Sequence, residues 1–117
     1  MTLARLELRM SFAAAHRAPS PRSGCPGLHG HSFGLRVTLA GEVDQPSGTV
    51  ADVPRVRALL HELVYQPLDH RLLDDVIENP TLERVASHVL ASLAPHLPEL
   101  VEVALDDGEG RTVVVGR

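Results

Sequence analysis

Two imidazoles, His29 and His31, stand two residues apart, and the chain's only thiol, Cys25, precedes them across Pro26-Gly27-Leu28. On a strand, residues i and i+2 point to the same face, so this pair can grip one metal ion from a rigid element. A third imidazole, His16, lies a loop earlier, after another apolar stretch. Three His ligands leave a fourth tetrahedral position open, which is the arrangement of a catalytic zinc rather than a structural one. Zinc held in that way binds a substrate oxygen and acidifies it, or polarises a carbonyl. The rival reading is that a His on an apolar strand face serves the core or an interface. Spacing alone does not single out His16 as the third ligand.

Cys25 is open to three readings: a fourth ligand, a base or nucleophile, or an inert small residue. An ordinary Cys has a pKa of about 8.5, so only a few per cent is thiolate at neutral pH. A nearby zinc or protonated His raises that fraction. Asp69-His70 is a second candidate, because a carboxylate beside an imidazole favours its charged form and the two can share a proton. Its plainer reading is a solvated loop. His61, His88 and His96 have no such company and read as surface residues.

These side chains need a scaffold, and the pattern of apolar residues supplies one. Leu6, Leu8, Met10 and Phe12 alternate with Glu7, Arg9 and Ser11, the period of a half-buried strand. The segment 17–27 holds three Pro and two Gly and reads as a loop. His29, His31, Phe33, Leu35, Val37 and Leu39 then share one face of a second strand, so the imidazoles continue an apolar face. Residues 41–48 read as a turn region. Asp52 can cap a helix with Pro54 in its first turn; Val56, Leu59, Leu60, Leu63 and Val64 give its stripe, and Pro67 ends it. Residues 68–78 look irregular and polar. Asn79-Pro80 opens a second helix with the stripe Leu82, Val85, Ala86, Val89, Leu90 and Leu93, closed by Pro95 and Pro98. Val101, Val103 and Leu105 alternate as a third strand, Gly108 and Gly110 mark a hairpin turn, and 112–115 form a fourth strand. The order β-β-α-α-β-β predicts an α+β fold: a four-stranded antiparallel sheet with two helices on one face. Its two open edges invite assembly.

The chain has 117 residues, suited to a single domain over 1–117 with a modest core. Hydrophobic residues make up 44% and aromatics only 3%, so the core is built mainly from Leu, Val and Ala. A net charge of -4 argues against nucleic acid or an anionic membrane as partner. No apolar run is long enough to span a bilayer. One Cys cannot form an internal disulfide, which fits a reducing cytoplasm. All 11 basic residues are Arg, a bias we associate with GC-rich bacterial genomes.

Taken together the motifs resemble the 6-pyruvoyl-tetrahydropterin synthase family. The matching pieces are Phe12-Ala13-Ala14-Ala15-His16, Cys25 through Phe33, Gly48-Thr49-Val50-Ala51-Asp52, Leu68-Asp69-His70 with Leu73, and Glu78-Asn79-Pro80-Thr81 with Glu83. They span most of the chain, and their joint order is more specific than any one of them. Three residues between the Cys and His-Gly-His resemble the bacterial branch, 6-carboxy-tetrahydropterin synthase of deazaguanine (queuosine) biosynthesis. The resemblance implies the tunnelling or T-fold and Zn2+ held by His16, His29 and His31. It implies Cys25 as the proton-abstracting residue and Asp69 with His70 as a second acid/base pair. It also implies 7,8-dihydroneopterin triphosphate as substrate, with acetaldehyde and triphosphate released. The assembly it implies is a homohexamer of two stacked trimers, with active sites between subunits.

The departure from the family pattern is near the C-terminal end. An ungapped alignment from Asn79-Pro80-Thr81 places Asp107 where the family has a pterin-anchoring Glu, and Gly108 where it has Thr. Asp keeps the carboxylate but is one methylene shorter, roughly 1.5 Å of reach. Asp106 is a neighbouring alternative, and a plain turn residue before Gly is the rival reading. Val113 to Val115 stand where the last strand usually carries an aromatic. Arg17, Arg22 and Arg71 lie near the motifs without being singled out as triphosphate ligands. Two rival functions follow: a diverged paralogue with pyruvoyl-type, aldolase-like or no pterin chemistry, and a non-catalytic zinc- or ligand-binding module.

Overall fold

A computed structural model of the protein describes residues 1–17, 21–24 and 27–117. Strands β1 (Leu3–His16) and β2 (His29–Glu42) pair antiparallel over their whole length, from Leu3 opposite Glu42 to His16 opposite His29. β3 (Leu100–Asp106) adds to β2, and β4 (Thr112–Gly116) adds to β3, giving one antiparallel sheet in the order β1-β2-β3-β4. The period-two patterns are obeyed. Phe33, Leu35, Val37 and Leu39 are buried on the face that packs against the helices. On the opposite face Arg36 bridges Glu102 at 3.1 Å, a half-buried cross-strand pair. A bulge between Thr38 and Leu39 shifts the β2–β3 register.

The helical layer begins as read. Asp52 caps α1 (Val53–Leu60) by accepting from the Arg55 N–H at 3.3 Å, and Pro54 sits in the first turn, where no N–H is needed. The helix then widens into a π-turn, His61–Tyr65, and closes as α2 (Gln66–Leu68). Val56, Leu60, Val64 and Leu68 are all buried. A strict four-residue repeat drifts around a 3.6-residue helix, and the wide turn offsets that drift. Pro67 therefore lies inside the closing turn rather than before it.

Residues 68–78 are irregular but not wholly polar: Leu68, Leu73 and Ile77 are buried, with a short 3-10 turn at Leu73–Asp75. Only Leu73 and Ile77 keep a helical spacing, too short a run to signal burial from sequence. Helix α3 (Leu82–Leu93) starts later than Asn79-Pro80 suggests, because Thr81 is its cap and accepts from the Arg84 N–H at 3.2 Å. Asn79 takes a left-handed φ of 45° and turns the chain into the helix. The α3 stripe buries Leu82, Val85, Ala86, Val89 and Leu93 against β3 and β4. His88 is half-buried, not a surface residue, and burial lowers its pKa. Among the described residues, no helix is long and apolar enough to cross a membrane.

Candidate active site

The pairing of β1 with β2 decides what meets what. His16 lies opposite His29, Ala14 opposite His31 and Phe12 opposite Phe33. Alternation keeps His16, His31, Phe12 and Phe33 on the inner face, so the chain's two Phe stack under the imidazoles with ring centroids 5.2 Å apart. The His16 ring stands 4.8 Å from that of His29 and 5.1 Å from that of His31, centroid to centroid. One nitrogen from each of the three lies within 4.8 Å of the others. The register, more than the spacing, brings His16 into the group.

Two of the three rings, His16 and His29, are oriented by a bond on the far side. His16 Nδ1–H donates to the Pro80 carbonyl at 2.7 Å, and His29 Nδ1–H donates to the Gly27 carbonyl at 2.6 Å. Carbonyls only accept, so both rings carry their proton on Nδ1 and turn a lone pair inward at Nε2. The His31 Nε2 approaches the His29 Nε2 to 2.6 Å, a pairing that needs a proton or a cation between them. His16 Nε2 is buried and has no hydrogen-bond partner among the described residues. A buried nitrogen left without a partner costs about 1–3 kcal/mol, and a metal ion satisfies it. Tetrahedral zinc at ~2.0–2.1 Å from each nitrogen sets them about 3.3 Å apart, which asks the His29–His31 pair to part by less than ~1 Å and the wider separations, up to 4.8 Å, to close by as much as ~1.5 Å. The donor set fits zinc. Burial and the neighbouring His29 both lower the pKa of His31, favouring the neutral form that ligates.

Asp69 and His70 come together on the outer side of β1. The residue pair caps the helical rod and is stitched to the strand: His70 N–H donates to the Ala13 carbonyl at 2.6 Å, and the Ala13 N–H donates to Asp69 Oδ1 at 2.9 Å. His70 Nδ1–H donates to Asp69 Oδ2 at 2.6 Å. The Ala13 N–H, then His70, hold the Asp69 carboxyl below its ordinary pKa, and Tyr65 adds to this. His70 occupies the left-handed region at φ 57°, a conformation of roughly 1 kcal/mol cost for a non-Gly residue, with its imidazole exposed. Residues 30–32, 13–15 and 70–72 form the floor of an open cleft of about 580 Å³, so His31 and His70 border the same space, with Arg71 beside them.

Asp107 stands on the other side of the triad. It borders a cavity of about 20 Å³ together with His16, His31 and Thr81. Its side chain is buried, and both oxygens serve its own hairpin. Oδ1 accepts from the Glu109 and Arg111 N–H groups at 2.8 and 3.2 Å, and Oδ2 accepts from Arg111 Nε at 2.9 Å. Burial pushes the Asp107 carboxyl up, but these bonds outweigh it and its pKa is lowered. The neighbouring Asp106 accepts from the Gly108 N–H. Cys25 lies outside the described residues.

A family model described as 6-pyruvoyl tetrahydropterin synthase matches residues 5–116. The chain belongs to the 6-pyruvoyl tetrahydropterin synthase family. A 6-carboxy-5,6,7,8-tetrahydropterin synthase from Synechocystis is 39% identical over 89 residues, covering 71% of this chain and 69% of the relative. A dihydroneopterin monophosphate aldolase from Pyrococcus furiosus is 35% identical over 95 residues, covering 81% and 79%. The solved structure of the Caenorhabditis elegans 6-pyruvoyl tetrahydropterin synthase superposes with a TM-score of 0.87 at 28% identity, covering 100% of this chain and 97% of that one. The T-fold expected from the resemblance is therefore the fold of this family member, and three different pterin activities occur among its relatives.

Sequence reasoning missed the groups that orient the imidazoles. The Pro80 and Gly27 carbonyls carry no side-chain signature. Pro80 was open to inference, because Thr81 is the helix cap and its own carbonyl accepts from the Val85 N–H. The carbonyl just before a cap stands outside the helical ladder and is available to a neighbour.

Proposed function

We propose that the protein is a zinc-dependent 6-carboxy-5,6,7,8-tetrahydropterin synthase, converting 7,8-dihydroneopterin triphosphate with release of acetaldehyde and triphosphate. The observation that carries this reading is the convergence of His16, His29 and His31 on one point beside a cleft also bordered by His70. The three-residue spacing from Cys25 to His29 and the Synechocystis relative favour the carboxy reaction.

In this reading His16, His29 and His31 hold the ion through Nε2. Bound metal supplies Lewis acidity to the side-chain oxygens of the substrate and lowers their pKa. Cys25, as thiolate, takes a proton from the substrate side chain. Asp69 remains ionised at neutral pH, since its pKa is lowered, and so keeps the His70 proton on Nδ1. His70 Nε2 is then left to accept or return a proton in the cleft. The Ala13 amide, which holds Asp69, ties that dyad to the same strand that carries His16. Asp107 contacts the pterin ring only if Arg111 releases Oδ2, which makes the Arg111 pair the gate to that role. The active form is a cytoplasmic homohexamer that shares its sites between subunits and completes its sheets through β4 and the part of the β1 edge before Ala13, since 69–72 cover the rest of that edge.

A second reading, a paralogue with pyruvoyl or aldolase activity, is favoured by the engagement of Asp107 within its hairpin and by the Pyrococcus relative. Incubation of the zinc-loaded protein with dihydroneopterin triphosphate, followed by product identification, decides between them. Acetaldehyde with a carboxypterin supports the main reading. A pyruvoyl product, glycolaldehyde or no conversion defeats it.

A further inference from the structure

Among the described residues, no backbone carbonyl orients His31 as one orients each of the other two imidazoles. Its Nδ1 is buried and has no hydrogen-bond partner among the described residues. The His31 side chain is 1% exposed. When a neutral imidazole binds a metal through Nε2, its proton resides on Nδ1, and that N–H needs an acceptor. Glu109 Oε1 stands 3.6 Å from His31 Nδ1, within ion-pair range and a small side-chain rotation from a hydrogen bond. Asp107 and Glu83 border the same side; Asp107 is occupied by Glu109, Arg111 and the turn they form, and Glu109 is the carboxylate in ion-pair range of His31.

The position of Glu109 is built rather than incidental. Asp107 Oδ1 accepts the Glu109 N–H, which curls the turn back toward β2. Gly108 has φ 73°, and a Cβ there would lie 3.1 Å from the Ser32 carbonyl, so only glycine lets the turn lie against the residue that follows His31. On the other side Arg111 Nη1 donates to the Ser23 carbonyl at 2.7 Å. The hairpin is therefore pinned at both flanks, with the Glu109 carboxylate over His31.

We propose that Glu109 is the positioning residue of the metal site: its carboxylate accepts the His31 Nδ1 proton and holds that ring for ligation through Nε2. This rests on the metal reading of the three His. It makes the β3–β4 hairpin, which sets Glu109 over His31, a determinant of metal affinity.

The test is the zinc dissociation constant of the full chain, measured by competition with a chromogenic chelator, for wild type, Glu109→Gln and Glu109→Ala. Loss of a carboxylate that holds a ligating imidazole in this way changes metal affinity about 10–100-fold. The expected order is wild type tightest, Gln intermediate because it keeps an acceptor without the charge, and Ala weakest by tenfold or more. The melting temperature of the metal-free variants should match wild type, since the Glu109 side chain is 66% exposed. In the zinc-loaded wild type, long-range nitrogen NMR should show His31 protonated at Nδ1. Equal affinities, within threefold, for a zinc-binding wild type and Glu109→Ala overturn the inference and leave the metal site standing. A wild type that binds no zinc overturns the metal reading itself.

Discussion

The Nδ1–H of His16, the last residue of β1, donates to the carbonyl of Pro80 at 2.7 Å, joining positions 64 residues apart. This bond couples the entry to α3 with the candidate metal centre and fixes the His16 tautomer. It also means that filling the centre should stabilise the fold as a whole. A ligand at 100 times its dissociation constant stabilises the native state by about 2.7 kcal/mol, which for a chain of this size raises the melting temperature by roughly 10 °C. Zinc should produce that shift, a chelator should reverse it, and His16→Ala should abolish it. An unchanged wild-type melting curve on adding zinc would remove the metal from the account.

The floor of the site is a packing problem. Phe33 is fully buried, stacks on Phe12, and lies edge-on to His16 and His31 at 5.8 and 5.2 Å. Phe33→Ala should cost about 3–5 kcal/mol in urea denaturation and loosen zinc binding as the rings lose their support. Phe33→Leu should cost less than half as much and keep the metal. If Phe33→Ala unfolds at the wild-type urea midpoint, the stack is not supporting the triad.

Acid should destabilise the metal-free protein in two stages. His31 and His88 have pKa values lowered by burial, so below about pH 6.5 the unfolded chain binds protons that the folded one refuses. Stability should then fall as pH drops through that window. Asp69, Asp107 and Asp44 have lowered pKa values as well, so their contribution is present above about pH 3.9 and is lost as pH falls through their folded values. Urea titrations at pH 7.5 and 5.5 should show the first stage, and His88→Gln, remote from the metal ligands, should shrink it. A His88→Gln slope equal to wild type would show that burial of this ring is not what the titration reads.

How far the sequence carried the architecture depended on periodicity. Both strand alternations, the Asp52 cap and the α3 stripe were legible because each states its own period. Leu73 and Ile77 were not, because residues in an irregular segment are buried by what lies above them. The same division runs through the site. His29 and His31 were legible as a strand pair and Asp69-His70 as neighbours. His16 needed the β1–β2 register, a long-range property that spacing alone leaves open. Glu109 sits in a turn-forming Asp-Gly-Glu-Gly run whose composition describes only a hairpin. Its relation to His31 exists because Asp107 and Gly108 fold that hairpin back.

Asp69 has two jobs that substitution can separate. Asn keeps an oxygen for the Ala13 N–H but loses the charge that holds His70, whereas Ala loses both. Asp69→Asn should keep a near-wild-type melting temperature and lose roughly a hundredfold in kcat. Asp69→Ala should lose the same activity and also melt lower. Full turnover by Asp69→Asn would leave the dyad without a catalytic role.

Asp107 poses the sharpest choice. Asn at this position keeps an acceptor for the Glu109 and Arg111 amides and removes the charge that pairs with the Arg111 guanidinium. If the carboxylate also receives the N–H pair of a pterin ring, losing a charge-assisted bond of about 1.5–3 kcal/mol raises KM roughly tenfold or more while kcat holds. Arg111→Gln supplies the complementary arm, because it frees Oδ2 without touching the acceptor and should lower KM if release of Arg111 limits ring binding. The expected pattern for a ring-binding Asp107 is therefore opposite shifts in KM for the two variants. An unchanged KM in both, with a lower melting temperature in each, assigns Asp107 to the hairpin alone and moves ring recognition elsewhere in the site.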